Sequence, residues 1–166
     1  MKKLLLLLSV VLFAATTVVA QQKPYAVAFY NLENLFDIYD DPETYDEEFT
    51  PEGTKQWNEI KYQKKLSNLE RVLFDISAIQ REYPIVIGVS EIENRSVLED
   101  LVMQPKLRGA NYRICHFDSP DARGVDCAFL YRADVFKLDG ADNIKLVVEE
   151  LPDFRTRDLV VMWGTI

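Results

Sequence analysis

The chain has 166 residues and a formal charge of −8, long enough for one domain with a real core but too acidic to hold nucleic acid by unspecific attraction, because phosphate binding draws on Lys and Arg. A phosphate ligand would need local help, such as a metal. Two cysteines exclude a disulfide framework.

The first twenty residues read as a secretory signal. Lys2 and Lys3 form its basic start, residues 4–13 its apolar core with Ser9 as the one interruption, and Val18-Val19-Ala20 its cleavage site. Cleavage after Ala20 is expected, giving a secreted or periplasmic chain of charge −10 that starts at Gln21. An uncleaved anchor is the alternative, but Thr16-Thr17 makes the stretch a poor span. No Cys follows the core to carry a lipid, and no later segment resembles a membrane span.

Residues 24–31 form the first predicted strand, ending at Asn31, a residue that ordinarily caps a turn. Residues 37–52 hold eight carboxylates punctuated by Pro42 and Pro51. This is a loop, read as a solvated one. Its spacing does not match an EF-hand, although calcium takes such oxygens. A helix follows, with Thr54 as the predicted N-cap and Leu66, Leu69, Leu73 and Ile76 as its inner stripe. Val72 and Ile79 widen that stripe, with Lys61, Lys64, Lys65, Glu70 and Arg71 opposite. Tyr83-Pro84 closes the unit.

Residues 85–89 hold four β-branched side chains and one Gly, the pattern of a strand buried on both faces. The run ends on Glu91, Glu93 and Asn94. A carboxylate at the mouth of such a strand needs a cation or donors. A divalent metal, a salt bridge to an Arg and solvent exposure all meet that need. Strand alternation puts Glu93 on the same side as Glu91. Strand, long helix, strand is the βαβ pattern of an α/β layered fold.

A short helix is expected over 96–103, then a hairpin of 112–117 and 125–131. Strands are expected at 135–138, 144–148 and 159–165. The hairpin sets Cys115 roughly opposite Cys127, where export would permit a bridge, although free Cys commonly packs as a small apolar residue. The sequence stops at Trp163-Gly164-Thr165-Ile166, within an apolar strand, as expected of a domain cut short. A strand left so would be uncovered and prone to association.

Three pieces, Phe29-Tyr30-Asn31-Leu32-Glu33-Asn34-Leu35-Phe36-Asp37, Gly88-Val89-Ser90-Glu91-Ile92-Glu93-Asn94 and the run 123–132 from Arg123-Gly124 to Tyr131-Arg132, come in the order seen in the endonuclease/exonuclease/phosphatase superfamily. With Thr156-Arg157-Asp158 they make the chain resemble its secreted bacterial members. The resemblance implies a layered β-sandwich flanked by helices, deoxyribonuclease-like, of which this chain carries an incomplete first half. It implies metal-dependent hydrolysis of phosphate esters or phosphodiesters, as in a nuclease or phosphatase. Glu91 corresponds to the family's Mg²⁺ ligand and Asn31 to the Asn beside it. Mn²⁺ and Ca²⁺ accept the same oxygens. Glu93 is at best an outer neighbour of that site.

The family's later His motif, Asp-x-Asn pair and closing Asp-His do not occur in this sequence, so the chain alone is expected to be inactive. His116 is not at a family catalytic position and reads as structural or surface. Arg123 and Asp126 read as a mutual ion pair. Arg155 and Arg157 are better placed to meet an anionic substrate, since Arg suits bidentate phosphate contact. An exported binding module that retains the fold is the main alternative. A calcium-dependent adhesion-type domain using the 37–52 loop is a third.

Overall fold

The computed structural model describes residues 24–151 and 153–166; the leader lies outside them. Strand β1 (Val27–Leu35), helix α1 (Glu59–Gln80) and strand β2 (Val86–Ile92) form the expected βαβ unit, with β1 and β2 parallel and Asn31 opposite Ser90. The chain then forms helix α2 (Arg95–Val102), β3 (Tyr112–His116) and β4 (Asp126–Arg132). β4 lies antiparallel between β2 and β3, so the first sheet runs β1-β2-β4-β3. Strands β5 (Lys137–Ile144) and β6 (Leu159–Thr165) make a second, antiparallel sheet. Among the described residues no helix is long and apolar enough to cross a membrane.

The layers follow from which side chains each face presents. Ile87 and Val89 meet Leu66, Leu69 and Leu73 of α1 and Leu98 and Leu101 of α2 in the main core. A fully buried leucine such as Leu66 or Leu73 stabilises the fold by about 1.5–3 kcal/mol over an exposed one. The sheet's other face puts Val86, Phe129 and Tyr131 against Phe136, just before β5, and against Leu138 and Met162 of the second sheet. Gly88 is the residue without a side chain in the β2 run because Phe29 and Phe129 flank it across the sheet. A Cβ there would sit 2.9 Å from the Phe29 ring.

Several expectations shift. Helix α1 starts four residues later than a Thr54 cap would set it, because the Asn58 side chain caps it through the Lys61 N–H at 3.2 Å. Ile79 is exposed at the C-terminal end, while Glu70, expected outside, is buried and accepts the Lys106 N–H. The two strands expected at 135–138 and 144–148 are one strand, β5, centred between them. Its Gly140 lies under the Trp163 indole, where a Cβ would come within 2.4 Å. Cys115 pairs with Phe129 rather than Cys127, and both thiols are free. Burial pushes both thiols up. Leu159 and Trp163 of β6, and Val27 and Phe29 of the edge strand β1, keep exposed apolar side chains.

Candidate active site

Both parallel strands lose their alternation at their C-terminal ends. In β1, Ala28, Tyr30 and Leu32 face the helices, and the next core residue is Leu35, because Glu33 and Asn34 take left-handed backbone at φ 54° and 61°. In β2, Ile87 and Val89 face the helices and Ile92 follows them inward, because Glu91 is left-handed at φ 59°. The strand pairing shifts register at both places. Such bulges re-aim side chains at sheet edges. Glu91 is therefore freed from the core face it would otherwise occupy.

Asn31 sits one strand away, opposite Ser90. Its Oδ1 accepts the Glu33 N–H at 2.7 Å, the turn-capping bond expected of such an Asn. That bond fixes the amide, and among the described residues its Nδ2 donates to nothing.

Cations gather round Glu91. Arg157, on the approach to β6, brings Nη1 to 3.8 Å from Glu91 Oε1, with both side chains partly exposed. Of the three solutions open to this carboxylate, the protein itself supplies the arginine, at long range. Lys65 turns back from α1 to donate to the Glu33 carbonyl at 2.9 Å. Burial pulls its ammonium below the usual lysine range, while Glu33 and Glu91 oppose the shift. Arg123 also feels the Glu91 charge. Nothing in the helical pattern sets Lys65 apart from Lys61 and Lys64. Its role depends on where β1 ends.

Arg155 does not join this patch. It is exposed on the wall of a neighbouring cleft of about 380 Å³, with Asp41, Glu43, Glu93, Asp118, Asp121 and Asp126. The carboxylates of Asp41, Glu43, Asp118, Asp121 and Asp126 make that cleft unwelcoming to an anion, whereas the mixed Glu91 patch suits one. Neither Glu91 nor Asn31 lines the cleft.

Glu93 departs from its expected side. The bulge turns it away from Glu91, and its Oε2 accepts the Asp37 N–H at 2.6 Å. Burial pushes its carboxyl up to about 8, against that hydrogen bond and with help from the charges of Asp37, Asp46 and Asp41. Asn94 caps α2 through the Val97 N–H at 3.2 Å and donates to Asp37 at 3.0 Å. The 37–52 loop does not gather its carboxylates round a point. Asp37 and Asp41 accept local backbone N–H groups, and Asp46 is buried rather than solvated. Arg123 pairs with Asp121 at 3.1 Å rather than with Asp126, which takes His116.

Glu91 fits a magnesium-type ligand. It is a partly exposed carboxylate whose ion pair with Arg157 is long, it follows the Ser90 that pairs with Asn31 across the sheet, and Mg²⁺ takes one or two protein carboxylates with water filling the rest. A family model described as "Endonuclease/Exonuclease/phosphatase family" matches residues 26–166. No curated protein and no solved structure matches the chain.

Proposed function

The chain belongs to the endonuclease/exonuclease/phosphatase family, whose members are metal-dependent phosphoester hydrolases, and on that premise we propose that Glu91 and Asn31 form the metal side of a site for a phosphate ester or phosphodiester. The observation that supports this reading is the bulge at Glu91, which frees its carboxylate from the core face one residue after the Ser90 that pairs with Asn31, and within reach of Arg157. Mg²⁺ bound there would polarise a phosphoryl oxygen and stabilise the charge that develops as water attacks.

The chain's own residues do the rest of the positioning. Glu91 supplies the ligand charge, and Asn31 presents an amide fixed by Glu33. Arg157 is held by a partly exposed pair at 3.8 Å, and such pairs contribute about 0–1 kcal/mol. It can therefore exchange Glu91 for a phosphate oxygen at little cost. Lys65 adds positive charge from the helix side. Arg155, turned into the acidic cleft, is assigned no direct contact.

The setting we propose is secreted or periplasmic, on the strength of the leader. We propose also that these 166 residues bind the cation and a phosphate group but do not turn substrate over. The family's later His and Asp motifs are not among them, and groups that act as a unit lose most of the rate when one is missing. The test is to assay the purified chain with Mg²⁺ on plasmid DNA and on a chromogenic phosphodiester, alongside Mg²⁺-dependent binding of inorganic phosphate. Binding without turnover is expected. Turnover that Glu91→Gln abolishes would overturn the inactivity proposal, and absence of any Mg²⁺-dependent phosphate binding would overturn the site.

A further inference from the structure

Away from Glu91, the described residues hold one place where three ligand-type side chains converge. One donor atom each from His116, Asp118 and Asp126 lies within 4.8 Å of the others. We propose that this is a second divalent-cation site, selective for a borderline-soft ion such as Zn²⁺, bound by His116 Nδ1 and Asp118 with water from the adjoining cleft.

His116 closes β3 and Asp126 opens β4, so antiparallel pairing brings both to one sheet end. His116 Nε2 lies 2.8 Å from Asp126 Oδ2, with the two side chains only 3% and 5% exposed. Asp126 is itself fixed by the Ser119 N–H at 2.9 Å and by the Ser119 hydroxyl. A carboxylate only accepts, so Nε2 carries the proton and the lone pair of the ring sits on Nδ1. Nδ1 faces Asp118 Oδ1 at 3.9 Å. Two acceptors facing each other repel unless a proton or a cation lies between them.

A cation fits the gap. At 3.9 Å the two atoms are about half an ångström farther apart than tetrahedral ligands with bonds of roughly 2.0–2.2 Å, a difference that rotation of the exposed Asp118 side chain closes without backbone movement. Asp126 behind the remote nitrogen is the carboxylate that orients a metal-binding His and raises its basicity. Asp118 is 93% exposed and, among the described residues, pairs with His116 alone, so it is available as a ligand. Asp118 and Asp126 both open onto the acidic cleft, which concentrates cations and has room for water. Imidazole favours Zn²⁺ or Co²⁺, while Mg²⁺ prefers oxygen alone. The site needs neither Glu91 nor Arg157, so it stands apart from the phosphoesterase reading. The rival arrangement is a protonated imidazolium clamped between the two aspartates, which would bind no metal.

The full chain, stripped of metal and held in excess Mg²⁺, is titrated with Co²⁺ by visible absorption and then with Zn²⁺ as competitor. A single equivalent of Co²⁺ that Zn²⁺ displaces is expected, unchanged in Glu91→Gln. Asp118→Asn and His116→Gln should each weaken it about tenfold or more, and Asp126→Asn by about 10–100-fold. Asp118→Asn alters an exposed residue, so its effect does not hinge on folding. Failure of the folded chain to take up Co²⁺ or Zn²⁺, uptake indifferent to Asp118→Asn, or uptake lost with Glu91→Gln would each overturn the proposal.

Discussion

Glu91 Oε1 lies 3.8 Å from Arg157 Nη1, joining the end of β2 in one sheet to the approach to β6 in the other. The contact is too long and too open to be a strong structural clasp, and it leaves both groups ready for other partners. If Arg157 serves a phosphate rather than the fold, its loss should act on the two ligands in opposite directions.

Arg157→Gln is accordingly expected to weaken Mg²⁺-dependent phosphate binding by about 10–100-fold, the loss of a charged hydrogen bond of about 1.5–3 kcal/mol. Cation binding to Glu91 should stay unchanged or tighten by a few-fold, since a competing charge worth about 0–1 kcal/mol is gone. Calorimetric titration of each ligand separates the two. Equal weakening of both would make Arg157 a structural residue.

Asn31 combines a turn bond with a place opposite Ser90, the residue before Glu91. Asn31→Asp retains an acceptor for the Glu33 N–H and adds a carboxylate, so stability should hold while cation affinity rises. Asn31→Ala removes the acceptor and should cost about 0.5–1.5 kcal/mol in urea unfolding. Equal stability of the two variants would show that the turn does not rely on the side chain.

Glu93 gives a pH signature. Its folded carboxyl titrates at about 8, above the ordinary value of 4.5, so across that window the folded state holds the proton more tightly than the unfolded one. Its contribution to stability is full below about 4.5 and is lost as pH rises through about 8. Glu93→Gln keeps an oxygen for the Asp37 N–H without the charge. The unfolding midpoint of the variant, compared with the parent, should gain steadily from pH 5 to pH 8. A difference that does not vary with pH would contradict this assignment.

Gly88 lies between the Phe29 and Phe129 rings. Gly88→Ala must push Phe29 aside, and overpacking of this kind costs about 1–3 kcal/mol. Urea unfolding reads the change directly. No loss would mean that the exposed Phe29 ring swings away freely.

The βαβ unit was legible because its signals are local: an uninterrupted β-branched run, a 3.6-residue leucine stripe, and turn residues between them. Glu91 and Asn31 were legible as positions of the family motif. Their geometry was not, because alternation, applied to Glu91 and Glu93, assumes a regular strand. The left-handed residue that breaks the strand follows from pairing with β1 and β4, which no local pattern records. β5 escaped for a similar reason. Its sequence, Lys137 to Ile144, is half polar, and its strand character comes from pairing with β6. The His116–Asp126 pair depends on hairpin register, and the expected ion pair of Arg123 with Asp126 was displaced by Asp121, two residues from Arg123, which closes a local turn.

The central claim is that Glu91 holds a divalent cation. Its most direct test is Mn²⁺ binding followed by electron paramagnetic resonance, in an Asp118→Asn background that silences the His116 site. Loss of even an outer partner of a metal ligand costs about 10–100-fold, so Glu91→Gln should weaken Mn²⁺ binding at least about tenfold, with the circular dichroism spectrum unchanged. Mn²⁺ bound with equal affinity by the folded chain with and without the Glu91 carboxylate would contradict the account.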